Sequence, residues 1–143
     1  MPRTSDRRPL LLDTHIWIWL EAGSRELSSD ARAMIARALG GGRLRVGAIS
    51  LWELALLASR SRISLGRSTS AWIEAALTDP GPVIEPLSAE VAVESCEMPD
   101  WAHRDPADRM LVATARVIGG TLMTRDRRIL DYAAAGHVMA VRG

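Results

Sequence analysis

The chain has 143 residues, 48% hydrophobic and 24% charged, with 18 basic and 17 acidic side chains giving a formal net charge of +1. That composition suits one globular domain with a real hydrophobic core and excludes a disordered tail. The single cysteine, Cys96, excludes an internal disulfide, and because every basic residue is arginine, Schiff-base, P-loop and phosphoaspartate-partner lysines are excluded as well.

Residues 1–9 read as a basic, polar leader, extended or disordered. The apolar run that follows is too short and too soon interrupted for a signal peptide or a membrane span, so a cytoplasmic protein with no membrane partner is expected. Leu10-Leu11-Leu12 predicts a buried strand ending at Asp13, and Ile16-Trp17-Ile18-Trp19-Leu20 a short apolar helix. Ser29 or Asp30 is placed to cap a helix running to Leu39 and stopped by Gly40-Gly41-Gly42. Residues 43–48 give a weaker strand signal, and Ser50 is placed to cap a helix carrying Glu53.

Residues 70–77 predict a helix that ends in the breaker Asp79-Pro80-Gly81-Pro82, followed by a short strand over 83–86. Ser88 opens a helix to about Glu97, which Met98-Pro99-Asp100 interrupts. Asp105-Pro106-Ala107-Asp108 is a helix opening, with Gly119-Gly120 as its stop. A strand over 121–124, a helix near 129–134 and a strand over 138–141 complete the chain. Repeated strand and helix units argue for an α/β fold, a parallel sheet with helices on both faces.

Four acids stand out against this pattern: Asp13, Glu53, Asp108 and Asp126. Asp13 and Asp126 follow two apolar strands, at the sheet edge where open α/β folds build their sites. Asp13 is alternatively the N-cap of the next helix. Glu53 sits among Leu and Ala, where an uncompensated carboxylate is costly; an arginine partner is the other reading. Asp108 shares a helical stripe with Leu111, Val112 and Ala115, which turns it inward, although Asp105 and Asp108 also suit an ordinary helix start. Carboxylates brought together repel and take up protons unless a cation offsets them, and a hard divalent metal with oxygen ligands is the natural candidate. Arg104, Arg109, Arg125, Arg127 and Arg128 flank the later acids and are candidates for phosphate contact.

Other chemistries lack their residues. His15, His103 and His137 have no zinc spacing, no G-x-S-x-G elbow is present, and no Asp-x-Asp start or lysine supports phosphotransfer. With no Phe and one Tyr, a broad base-stacking platform is not expected. The tryptophans Trp17, Trp19, Trp52, Trp72 and Trp101 are assigned mainly to the core.

The segments Leu11-Leu12-Asp13-Thr14-His15, Ser50-Leu51-Trp52-Glu53-Leu54-Ala55, His103-Arg104-Asp105-Pro106-Ala107-Asp108-Arg109-Met110-Leu111-Val112-Ala113 and Leu122-Met123-Thr124-Arg125-Asp126 resemble, in this order, the PIN domain family, and within it the VapC-type toxins. The resemblance implies a three-layer α/β/α sandwich with a central parallel sheet, one nuclease domain over residues 10–143, and a ribonuclease dependent on Mg²⁺ or Mn²⁺. It carries the metal and catalytic roles onto Asp13, Glu53, Asp108 and Asp126, makes Thr124 a site-shaping hydroxyl, and matches Asp105 to the family's Asp-Pro helix start. Ala107 departs from the aromatic usual after that proline. The resemblance also implies a homodimer, an RNA substrate and a cognate antitoxin protein. A PIN-like binding or regulatory module without turnover is the alternative.

Overall fold

The computed structural model describes residues 7–143. Among them are five strands and seven helices, β1 (Leu10–Leu12), α1 (Thr14–Ala22), α2 (Ser29–Gly40), β2 (Leu44–Gly47), α3 (Ala48–Ser59), α4 (Thr69–Leu77), β3 (Val83–Glu85), α5 (Ala89–Glu97), α6 (Pro106–Ile118), β4 (Thr121–Thr124), α7 (Arg127–Ala134) and β5 (Met139–Arg142). The first six residues of the expected leader lie outside the described residues. Its last two, Arg8 and Pro9, are tied to the sheet: the Arg8 carbonyl accepts from Arg43 Nη1 at 3.1 Å and that of Pro9 from the Thr121 amide at 2.9 Å.

All neighbouring strands are parallel and run in the order β3-β2-β1-β4-β5. This is the expected α/β/α arrangement. Leu10 and Leu12 pack into one core with Trp17, Ile35, Val46 and Leu54. Leu11 turns the other way, into a second core with Val91, Leu111, Val112, Leu122 and Ile129. The strand period of two therefore splits a continuous leucine run between two buried faces, as a sheet covered on both sides requires.

Several helix boundaries differ from the sequence reading, each for a local reason. Ser28, not Ser29 or Asp30, caps α2, its hydroxyl accepting from the Ala31 amide at 3.1 Å. Likewise Ser68 caps α4 two residues before the start expected at Ser70. Ser50 is not a cap: α3 begins directly after β2 with Gly47 at the cap position, and Ser50 lies fully buried in its first turn. Serines next to one another in sequence offer equivalent hydroxyls, and only the backbone path decides which one meets the free amides.

The stop at Gly119-Gly120 is as expected. Gly119 has φ 63°, a conformation that favours glycine, and a Cβ at Gly120 would lie 2.9 Å from the Pro9 carbonyl. That close passage lets α6 turn into β4 beside β1.

Candidate active site

The strand order reverses between β1 and β4, so the chain leaves these two neighbours in opposite directions and opens a crevice beyond their carboxyl ends. Asp13 follows β1 and Asp126 follows β4, on either side of that crevice. Glu53 comes from the second turn of α3, and Asp105 and Asp108 come from the start of α6. These five acids line one cleft of about 270 Å³, together with His15, Trp19, Arg125 and Arg128.

Asp13 stands at the cap position of α1 but makes no capping hydrogen bond with its side chain. It is 8% exposed, and its Oδ2 accepts from the Thr124 hydroxyl at 2.6 Å. The Thr124 oxygen in turn accepts from the Asp126 amide at 3.0 Å. One buried hydroxyl thus fixes the carboxylate after β1 relative to the backbone after β4. Burial pushes the Asp13 carboxyl up, against the Thr124 and Thr14 hydrogen bonds and the charge of His15.

Glu53 is half-buried and has no ion-pair partner among the described residues, so the arginine-pair reading does not describe it. Burial pushes its carboxyl up, the nearby Thr14 hydroxyl opposes this, and Asp13 and Asp105 reinforce it. The Thr14 proton itself goes to Ser50 Oγ, 2.9 Å away in a buried contact. That bond ties the residue after Asp13 to α3 one turn before Glu53, and so sets the spacing of two candidate acids.

Asp108 lies in the first turn of α6, with Leu111, Val112 and Ala115 buried beneath it. Its carboxyl is pushed up to about 7, first by burial and then by Asp105, Asp126 and Asp13, with Arg128 opposing. Asp105 is an exposed cap whose Oδ1 accepts from the Ala107 amide at 2.9 Å, although its side chain also lines the cleft. Asp126 caps α7 through the Arg128 amide at 2.8 Å. Burial raises its carboxyl, but the side-chain and backbone hydrogen bonds from Arg128 and the Arg128 charge outweigh that and hold it low.

The flanking arginines separate into distinct roles. Arg128 Nη2 lies 3.0 Å from Asp108 Oδ2 and 3.0 Å from Asp126 Oδ2, bridging two of the four candidate acids. Arg125 stacks over Trp19, 5.1 Å from its centroid, and is held by the Gly143 carbonyl at 2.9 Å and Glu26 at 3.3 Å. Arg104 and Arg127 are exposed and do not line the cleft, and Arg109 donates to the His103 carbonyl at 3.4 Å.

The donor set is chemically suited to a hard divalent cation: five carboxylates beside one imidazole, no thiolate, and three carboxyls that burial and mutual repulsion disfavour as anions. Among the described residues, however, no three His, Cys, Asp or Glu side chains form a ready cage. Two of the candidates are turned onto Arg128 instead.

Sequence reasoning missed His15 and Trp19 as cleft walls. They lie four residues apart at the start of α1, directly after Asp13, and this helical spacing was the available signal. The core assignment holds for Trp17, which is fully buried, and fails for Trp52, which is 51% exposed. A larger cavity of about 580 Å³ lies at the amino ends of β4 and β5, away from these acids. Its arginine, Arg116, is already paired with Glu94 at 2.7 Å.

Comparison with known proteins agrees with this fold. Residues 10–135 match the PIN domain family. The chain is 36% identical over 123 residues to Ribonuclease VapC22 of Mycobacterium tuberculosis (strain ATCC 25618 / H37Rv), spanning 86% of this chain and 91% of that protein. Its fold superposes on the crystal structure of VapBC2 from Rickettsia felis bound to a DNA fragment from their promoter, with TM-score 0.69 and 13% identity over 93% of this chain and 97% of that one. It superposes equally on DNA-bound VapBC from Salmonella typhimurium, with TM-score 0.68 and 14% identity over 94% and 98% of the two chains. The chain belongs to the PIN domain family.

Proposed function

We propose that this chain is a divalent-metal-dependent endoribonuclease, the cytoplasmic toxin of a toxin–antitoxin pair, acting as a homodimer and silenced by a cognate antitoxin protein. The observation that carries the reading is the delivery of Asp13, Glu53, Asp108 and Asp126 from four separate stretches of chain to one cleft at the sheet's switch point. The relative named a ribonuclease supports the activity, and the VapBC complexes among the structural neighbours support the antitoxin partner. Among the described residues no helix is long and apolar enough to cross a membrane.

When bound, Mg²⁺ or Mn²⁺ supplies Lewis acidity at a phosphate oxygen and a water that ionises near neutral pH. The four carboxylates would hold it, with Thr124 orienting Asp13. The carboxyl of Asp108 is pushed up by burial and by the neighbouring acids Asp105, Asp126 and Asp13, a repulsion that a bound cation would offset. Arg125 and Arg128 bring positive charge to the cleft for the RNA backbone.

Cleavage of single-stranded RNA by the purified chain, with Mn²⁺ and with EDTA, tests the proposal. Cleavage is expected with the metal only, and Asp13→Asn, Glu53→Gln, Asp108→Asn and Asp126→Asn are each expected to remove it. Because burial disfavours the Asp13 anion, Asp13→Asn is also expected to raise the melting temperature of the metal-free protein. Cleavage that survives EDTA, or an Asp13→Asn variant working at wild-type rate, would refute the reading. A chain that binds RNA and never cuts it is a binding module.

A further inference from the structure

Among the described residues, Arg128 is placed differently from every other arginine that forms an ion pair. Arg45, Arg116 and Arg125 each pair with a single acid outside the carboxylate set, and Arg125 is further held by the Gly143 carbonyl. Arg128 has its guanidinium inside that set. Nη2 contacts Asp108 Oδ2 and Asp126 Oδ2, both at 3.0 Å, and Nε contacts Asp126 Oδ1 at 3.3 Å. The two carboxylates come from the first turn of α6 and from the loop after β4. Sharing one nitrogen at 3.0 Å brings their oxygens within about twice that distance of each other, where a cation or a proton offsets their repulsion, and here the guanidinium stands between them.

We infer that Arg128 is a tethered counter-ion occupying the cleft's cation position, which a divalent metal must displace before Asp108 and Asp126 can act as ligands. This rests on the metal-dependent reading above. Two further observations support the exchange. The Arg128 side chain is 48% exposed and lies on the rim in the first turn of α7, so it can swing out without opening a core. Among the described residues, no three acids form a ready cage while the guanidinium bridges two of them. Asp126 keeps its hold on α7 through the Arg128 amide, which the side chain's departure leaves in place. The swap exchanges one positive charge for two without disturbing the helix. Once free, the guanidinium stands at the cleft mouth, where an RNA phosphate would meet it.

Calorimetric titration of Mn²⁺ into the EDTA-stripped full chain, without RNA, tests the inference. Arg128→Gln is expected to bind Mn²⁺ about fivefold to tenfold more tightly than wild type, the scale of two partly exposed ion pairs removed from competition. Arg128→Lys keeps the charge but not the fork and is expected to lie between them. Arg127→Gln removes the same charge from the neighbouring exposed position and is expected to change the affinity less than twofold, as befits a general field effect. Equal or weaker binding by Arg128→Gln, or the same tightening by Arg127→Gln, overturns the displacement while leaving the metal reading standing. Absence of Mn²⁺ binding to both wild type and Arg128→Gln overturns both.

Discussion

The Thr124 hydroxyl donates to Asp13 Oδ2 at 2.6 Å across 111 residues of chain, and the same oxygen accepts from the Asp126 amide. A single fully buried side chain therefore sets the position of one candidate ligand and the backbone of another. Thr124→Val keeps the shape and removes both interactions. It is expected to destabilise the protein by about 2 kcal/mol, the scale of a buried hydrogen-bond loss that strands polar partners. RNA cleavage should fall at least tenfold, whereas Thr124→Ser should restore most of it. Denaturant unfolding and cleavage rates on the three proteins check this.

The buried Thr14 to Ser50 hydrogen bond links α1 to α3 at the level of the acids. Ser50→Ala leaves the Thr14 hydroxyl without its partner and is expected to cost about 1–2 kcal/mol. The double variant Thr14→Val with Ser50→Ala should lose less than the sum of the single changes, because no polar group is then stranded. A double-mutant cycle by urea denaturation measures the coupling, and additive losses would show that the contact contributes nothing.

Asp108 gives the metal-free protein a definite pH response. Its folded carboxyl titrates near 7 against an ordinary value of 3.8. Between these values the folded protein holds a proton that the unfolded chain has lost, so the contribution to stability is full below about pH 4 and disappears as pH rises through 7. Solvent screening of this partly exposed group reduces the effect to about 1–2 kcal/mol. Asp13 and Glu53 shift in the same direction, and Asp126 in the opposite one. In EDTA the melting temperature should fall from pH 5 to pH 8, and Asp108→Asn should flatten that slope. Since a bound cation requires the ionised carboxylate, Mn²⁺ affinity should rise over the same interval.

Asp105 and Asp108 are three residues apart and separable by experiment. Asp105 uses its side chain as the cap of α6, so Asp105→Ala should cost about 1 kcal/mol of stability. Asp105→Asn should keep the cap and most of the cleavage. Asp108→Asn should leave stability at pH 7 unchanged or raised and remove cleavage. Thermal melts and cleavage rates on the three variants distinguish the cap from the candidate ligand, and equal loss of cleavage in both asparagine variants would merge the roles.

Periodicity and composition were enough to determine that this is a parallel α/β protein with acids beyond the ends of two strands. Leu10-Leu11-Leu12 and Thr121-Leu122-Met123-Thr124 are runs that only a sheet covered on both faces can bury, and Gly119-Gly120 and the Asp105-Pro106 pair punctuate α6 with their own backbone chemistry. Glu53 stood out for the same local reason, a carboxylate among Leu and Ala. The tertiary structure alone decided which polar atoms meet. That Ser50 accepts from Thr14 rather than capping a helix, and that Arg128 rather than Arg127 or Arg104 reaches two acids, depends on strand order and helix rotation. Such contacts join residues as far apart as Asp13 and Thr124, and no local pattern encodes the direction in which a side chain meets a partner from a distant part of the chain.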